Sequence, residues 1–175
     1  SEASFGMAAL NSYYATPSVA DEHGFALADA PWPQIFDPFR NAVAGKKVAV
    51  IGHFPFAPKA LNQAADFYML ERSLNEGDYP DSAAEYILPE CDYVFITGSA
   101  FVNKTAPRLL ELSRESFNVV LGPSTPLAPV LLEDYGVSQV TGMVPTSPLA
   151  MFEGLSGTDA GTTMFDWGHR VELSA

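Results

Sequence analysis

Short apolar segments alternate with helix-like segments along most of this chain. Five of these segments, each ending in a glycine or polar loop, have the length of a strand: 48–51, 67–70, 92–97, 118–121 and 138–141. Runs that are apolar at consecutive positions predict strands buried on both faces, which is typical of parallel sheets covered by helices. The pattern therefore predicts an α/β fold: a Rossmann-like, doubly wound, mainly parallel sheet of five to six strands with helices on both faces.

The segments between these strands show helical spacing or helix start signals. They predict helices over 1–15, 33–44, 58–65, 82–89, 105–115, 125–135 and 146–152. Residues 169–173 could add a strand at the edge of the sheet. We expect one compact unit, in which a helical lead-in over 1–45 precedes a Rossmann-like domain over 46–175.

Composition and charge restrict the partners. Of 175 residues, 47% are hydrophobic, and 21 acidic residues stand against 9 basic ones, for a net charge of -12. That balance disfavours nucleic acids and anionic membranes, which both require a basic footprint. No run of 18 apolar residues predicts a membrane span. The single cysteine, Cys91, excludes an internal disulfide, so we expect an acidic cytoplasmic protein.

The residues that follow the predicted strands are the candidates for a binding site. Ligands of open parallel sheets bind beyond the carboxyl ends of the strands. Small, polar or charged residues at those ends form the candidate ligand-binding set: Gly52, His53, Glu71, Thr97, Gly98, Ser99, Asn103, Lys104, Gly122, Ser124 and Thr125. Thr125 precedes a proline, as a helix-capping residue does, and free N–H groups at helix starts suit anions. Capping alone is the alternative role for these side chains.

The loop after the first predicted strand argues against a dinucleotide. A G-x-G-x-x-G motif would stand there, but the loop reads Gly-His-Phe-Pro-Phe-Ala over 52–57. Phe54 and Ala57 replace two of the three glycines, and the bulky Phe54 keeps a pyrophosphate away from the backbone. Glu71 ends the next strand, where an acid often binds a ribose hydroxyl. Two interpretations of Glu71 therefore remain. It belongs to a site for S-adenosylmethionine or a nucleotide, or it is an ordinary carboxylate at the end of a strand.

Candidate metal ligands are His53, Asp78 and Asp81, but their spacing matches no established metal motif. No His-x-x-x-His, Cys-x-x-Cys or His-Glu-x-x-His pattern occurs. Cys91 precedes its strand and is expected at the opposite end of the sheet, as a buried structural residue. A lone loop histidine such as His53 is more often structural than a ligand.

Four motifs carry a family resemblance: GDYPDSAAE at 77–85, LPECD at 88–92, ITGSAFVNKT at 96–105 and GPSTPL at 122–127. In this combination the chain resembles the heavy-metal chelation domain family of bacteria and archaea. The resemblance implies a Rossmann-like domain joined to an N-terminal domain like that of enolase, with a site between them and no established reaction. The segment for that N-terminal domain is absent here, so we expect a fragment or a shortened protein.

Together these observations favour a domain that binds a small ligand or a heavy-metal chelate at the carboxyl ends of the strands. Lys104 could pair with an anionic chelator, and Asp78 and Asp81 could meet a divalent heavy metal. Two alternatives stay open: a transferase that uses S-adenosylmethionine or a nucleotide in the same crevice, and a non-catalytic assembly domain. The expected partners are a small molecule or metal chelate, and either a second copy or the missing N-terminal domain.

Overall fold

Eight strands form a single sheet in a computed structural model that describes residues 1–157 and 164–175. The strands are β1 (Ala26–Leu27), β2 (Lys47–Ile51), β3 (Asp66–Glu71), β4 (Tyr79–Pro80), β5 (Tyr93–Thr97), β6 (Phe117–Leu121), β7 (Gln139–Pro145) and β8 (Gly168–Ser174). Their order across the sheet is β1-β8-β7-β6-β5-β2-β3-β4. Strands β2 to β7 are parallel, whereas β8 runs antiparallel to both β7 and β1.

The predicted fold class is confirmed, although the sheet has more strands than the five to six expected. All five predicted central strands form, and the strand expected at 169–173 forms as β8. It is not the edge strand that was expected, because β1 pairs with its outer side. The additional strands β1 and β4 contain two residues each. Two residues are too few to show a period of two, so no sequence pattern could predict them.

Eight α-helices connect or flank these strands in the described ranges. They are α1 (Glu2–Tyr14), α2 (Pro17–Glu22), α3 (Ala57–Ala60), α4 (Ala84–Ile87), α5 (Ser99–Val102), α6 (Ala106–Leu112), α7 (Val130–Glu133) and α8 (Pro148–Ser156). Most are shorter than predicted, because short 3-10 turns or loops replace their ends. None of them is long and apolar enough to cross a membrane.

The helix predicted over 33–44 is wrong. This segment forms two 3-10 turns, Trp32–Gln34 and Asp37–Phe39, followed by irregular turns. Pro33 and Pro38 each remove a backbone donor and interrupt the regular hydrogen bonding of an α-helix. The apolar side chains at helical spacing in this segment, Ile35, Phe36, Phe39 and Val43, are nevertheless buried.

The helix predicted from Thr125 is mostly absent, because only Val130–Glu133 is α-helical within 125–135. Residues 125–128 have no regular secondary structure, and Leu127 and Ala128 within them are buried. Thr125 therefore caps no helix.

Packing covers both faces of the sheet. Alternate residues of one strand point to opposite faces, and β2 divides its side chains accordingly. Ala49 and Ile51 join one core cluster, with α4 and α6, whereas Val48 and Val50 join a second cluster with Phe36. These two clusters give the doubly covered arrangement that the apolar strands predicted.

The lead-in predicted over 1–45 contributes both a helix and a strand to this structure. Helix α1 contacts α5, and Asn11 donates a hydrogen bond to the Ser124 carbonyl at 3.0 Å. Strand β1 pairs with β8 through the register Ala26↔Glu172 and Leu27↔Val171.

Candidate functional site

The strand order reverses between β2 and β5, and a cavity of about 400 Å³ opens beside their carboxyl ends. After β2, the chain forms β3 on one side of β2, and β5 later pairs with the other side of β2. Such a reversal separates neighbouring loops and is where ligands bind in open α/β sheets. We call this cavity the crevice; its walls come from the ends of β2, β3 and β5 and from α4, α5 and α6.

Seven of the candidate residues line the crevice: Gly52, Glu71, Asp81, Thr97, Ser99, Asn103 and Lys104. Six others do not line it: His53, Asp78, Gly98, Gly122, Ser124 and Thr125. Among these, Gly98, Gly122 and Thr125 pack against one another behind the strand ends.

Gly52 brings β2 close to β5 at the base of the crevice. Its φ of +104° lies in a region that other residues adopt only under strain. A Cβ at this position would lie 3.1 Å from both Cβ and Cγ2 of Thr97. Beyond this contact, the Thr97 and Ser99 hydroxyls form a hydrogen bond at 3.1 Å. The pair presents hydroxyl groups to the crevice.

Three cations line the crevice, and they differ in their partners. Arg72 lies 3.6 Å from Asp81. Arg108 donates to Glu85 at 2.8 Å through Nε and to Glu111 at 2.6 Å through Nη1. The hydrogen bonds from Arg108 hold the pKa of Glu85 below its ordinary value.

Lys104 is the third cation, and its ammonium group forms no hydrogen bond or ion pair with any residue in the described ranges. Its backbone adopts a φ of +68°, a left-handed conformation that is unfavourable for a residue with a Cβ. Such conformations cluster at functional sites, where the surrounding structure maintains them. The crevice therefore contains one unpaired positive charge on a strained backbone.

Glu71 joins the ends of two strands. Its carboxylate accepts hydrogen bonds from the backbone N–H of His53 at 2.9 Å and from that of Arg72 at 2.6 Å. The side chain thus holds the loop after β2 against the end of β3. Each carboxylate oxygen keeps a further lone pair for a ligand.

His53 and Asp78 contact each other beside the crevice, with Nδ1 of the imidazole 3.1 Å from Oδ2 of the carboxylate. Asp78 also accepts from the backbone and side-chain nitrogens of Asn75, at 2.9 and 3.2 Å. Burial tends to raise the pKa of Asp78, but the hydrogen bonds from Asn75 and His53 outweigh it and lower this pKa.

The three candidate metal ligands do not converge. Asp78 contacts His53, whereas Asp81 pairs with Arg72. Among the residues that the structure describes, no three His, Cys, Asp or Glu side chains form a group that could hold a metal ion. Cys91 lies at the amino end of β5, as predicted, and its thiol donates to the Ile87 carbonyl at 3.3 Å.

Sequence reasoning missed Arg72 and Arg108 as lining residues. Arg72 follows Glu71 directly at the end of β3, so its position was a usable signal. Arg108 lies on α6, and its direction depends on how that helix packs over the sheet. No pattern in the sequence shows which helical face meets the crevice.

Comparison with known proteins supports the family resemblance. A family model described as "Putative heavy-metal chelation" (DUF364) matches residues 34–171. A crystal structure of a DUF364 protein of unknown function from Desulfitobacterium hafniense is 44% identical, with a TM-score of 0.87, and the match covers 99% of this chain and 68% of that one. A second DUF364 structure of unknown function, from Pyrococcus horikoshii, has the same fold with 22% identity and a TM-score of 0.75, over 97% of this chain and 67% of that one.

A curated relative matches over a shorter part of the chain. An uncharacterized protein of Methanocaldococcus jannaschii is 29% identical over 101 residues, which cover 54% of this chain and 39% of that protein. The matched family model spans most of the sheet, from before β2 into β8. This chain therefore belongs to the DUF364 family.

Proposed function

We propose that this domain binds a small anionic ligand, and specifically an anionic heavy-metal chelate, in the crevice. The observation that carries the proposal is Lys104, the unpaired cation on a left-handed backbone that lines the cavity. An ammonium group attracts carboxylate or phosphate oxygens. The Thr97 and Ser99 hydroxyls on the neighbouring wall would contribute further hydrogen bonds to the same ligand.

A chelate fits these residues better than a bare ion does. Heavy metals in proteins are usually held by three or four nitrogen, sulfur or oxygen ligands, and the described residues contain no such group. A chelator brings its own ligand atoms and leaves few coordination positions for the protein. It also brings negative charge, which a lone ammonium group can pair.

His53 lies beside the crevice and does not line it, so it could complete the coordination of a bound chelate that extends towards the loop after β2. Metal-binding histidines commonly hydrogen-bond to a carboxylate through their other ring nitrogen. His53 has that arrangement through Nδ1 and Asp78, and its Nε2 has no partner among the described residues. In this proposal Asp78 orients the imidazole instead of contacting the metal.

Isothermal titration calorimetry tests this function. The titrants are Zn²⁺ or Ni²⁺ alone, nitrilotriacetate alone, and the corresponding metal–nitrilotriacetate complexes. We expect binding of the complexes, and weaker binding by Lys104→Gln because the anion loses its cation. Lys59→Gln, at an exposed lysine of α3, makes the same charge change outside the crevice and should bind like the wild type. A folded wild-type protein that binds none of these complexes would contradict the proposal.

The position of Glu71 supports a second candidate, a transferase that uses S-adenosylmethionine or a nucleotide. Glu71 is the last residue of β3, beside the turn at Gly52, and it lines the crevice. An acid at this position can accept a hydrogen bond from a ribose hydroxyl. Thermal denaturation with S-adenosylmethionine and with ATP tests this alternative. If neither raises the melting temperature of the wild type, the candidate loses its support.

Exposed apolar side chains support a third candidate, a non-catalytic role in assembly. Phe5 on α1 is 79% exposed, and Leu149 and Phe152 on α8 are 68% and 69% exposed. They could contact a second copy or a separate N-terminal domain like that of enolase. Light scattering of the chain, alone and with that domain added, tests this role. A monomer in both samples would contradict it.

A further inference from the structure

A buried arginine without a hydrogen-bond partner lies on β8, several strands away from the crevice. Arg170 is on β8, directly opposite Met143 of β7, and only 5% of it is exposed. Both Nε and Nη1 are buried without a hydrogen-bond partner. No described residue forms an ion pair with its guanidinium group.

Arg170 lines a second cavity of about 430 Å³. Trp32, Thr146 and Phe165 also line it, and it shares no lining residue with the crevice. The cavity lies where β1 and β7 end, at the same edge of the sheet as the crevice but several strands away.

A second buried donor without a partner belongs to another residue of the cavity lining. Trp32 is buried, and its Nε1–H also has no hydrogen-bond partner. The indole ring packs against Phe165, with ring centroids 5.5 Å apart. The lining thus combines two residues that carry unpartnered N–H donors with aromatic surface, and it also includes Asp29 and Asp166.

Burying an arginine in this way is costly for the protein alone. A guanidinium stays charged in proteins, and a buried charge requires a partner. Burial lowers the pKa of Arg170, while the carboxylates of Glu172, Asp29 and Asp37 raise it from a distance. None of these acids forms an ion pair with it, so the described residues supply no direct counter-ion.

We propose that this cavity binds an organic oxyanion, a carboxylate or a phosphate monoester that carries an aromatic or apolar group. Arg and Trp side chains only donate hydrogen bonds, so their partner is an acceptor, and a guanidinium pairs with two oxygens at once. The apolar part of the ligand lies against the rings of Trp32 and Phe165. Binding here is independent of binding in the crevice.

Titration calorimetry with benzoate and with phenyl phosphate tests the proposal and distinguishes the two anions. Acetate and inorganic phosphate test the contribution of the ring, and neutral benzamide tests that of the charge. We expect the wild type to bind benzoate or phenyl phosphate more tightly than acetate or phosphate, and not to bind benzamide. Absence of binding by all four anions would overturn the proposal.

Two arginine variants test whether Arg170 is responsible for binding these anions. Arg170→Gln should weaken binding about tenfold to a hundredfold, because a hydrogen bond to a charged group is lost. Arg114→Gln, at an exposed arginine beyond α6, makes the same charge change and should bind like the wild type. Equal affinities of the wild type and Arg170→Gln would overturn the proposal.

Stability separates a ligand-binding role from a structural one. Without ligand, Arg170→Gln should melt at or above the wild-type temperature, because it removes a buried charge that has no partner in the protein. A much lower melting temperature would show a structural role and overturn the proposal. If Arg170→Gln does not fold, Trp32→Phe serves as the test, because it keeps an aromatic ring and removes the N–H donor. Unchanged affinity of this variant for both aromatic anions would overturn the proposal.

Discussion

The backbone of Gly98 approaches that of Thr125 so closely that a Cβ at position 98 would lie 2.6 Å from the Thr125 amide nitrogen. Backbone atoms cannot turn aside as a flexible side chain can. We therefore expect Gly98→Ala to lower the free energy of unfolding by about 1–3 kcal/mol, the usual cost of overpacking. Urea denaturation measures this change.

A matched glycine provides the control for that experiment. Gly6 lies within α1, and a Cβ there would meet no heavy atom within 4 Å. Gly6→Ala should raise stability by up to about 1 kcal/mol, since alanine favours the helix. Equal stability of Gly98→Ala and the wild type would contradict the close approach of the two loops.

The left-handed backbone of Lys104 predicts that replacing this residue with glycine increases stability and weakens ligand binding. Glycine adopts φ +68° without a Cβ clash, so Lys104→Gly should raise the free energy of unfolding by up to about 1 kcal/mol. The same variant should bind a metal–nitrilotriacetate complex more weakly, because it lacks the ammonium group. Denaturant midpoints and calorimetry measure the two effects.

Lys59→Gly serves as the comparison for Lys104→Gly. Lys59 lies in the last turn of α3, where glycine should lower stability by about 0.5–1 kcal/mol. The two glycine variants are therefore expected to change stability in opposite directions. A destabilised Lys104→Gly would argue against strain at that residue.

The hydrogen bonds of Asp78 predict that stability falls on acidification. Burial acts to raise the pKa of Asp78, but the donors on Asn75 and His53 hold it below its ordinary value. A lowered pKa stabilises the folded protein above the unfolded pKa of about 3.9, and this contribution is lost as the pH falls through the folded pKa.

Asp78→Asn tests this linkage. The variant should be less stable than the wild type at pH 7, and the difference should narrow below about pH 4, where the carboxylate becomes protonated. Urea midpoints across this range measure it, with Asp134→Asn at an exposed position as the control. A difference that does not change with pH would contradict the prediction.

Cys91 should resist modification in the folded protein. Burial raises the pKa of its thiol to about 12, and only the thiolate is strongly nucleophilic. We expect iodoacetamide at pH 8 to label the protein slowly until denaturant is added, as measured by mass spectrometry. Rapid labelling under native conditions would show that the thiol is accessible.

The central sheet could be predicted because its strands carry consecutive apolar residues, such as Val94 to Ile96. The segment from Ile35 to Val43 shows where that reasoning stops. Helical spacing correctly identified buried side chains there, but prolines prevent the helix that the spacing predicted. The spacing of apolar residues predicts which side chains are buried more reliably than it predicts the secondary structure of the backbone that carries them.

The candidate site was predictable only in part, for a similar reason. The carboxyl ends of parallel strands share one edge of the sheet, so Gly52, Glu71 and Thr97 could be grouped in advance. The partners of those residues depend on tertiary packing. Sequence spacing does not predict that Asp81 pairs with Arg72, or that the buried Arg170 lacks a hydrogen-bond partner.

The position of β1 has a consequence for folding during synthesis. Within the described sheet β1 pairs only with β8, which is made after all the other strands. A ribosome-bound chain could form the parallel strands β2 to β7 while β1 still lacks its neighbour. Closing such a long loop is slow, so the pairing of β1 with β8 is expected to be a late step of folding.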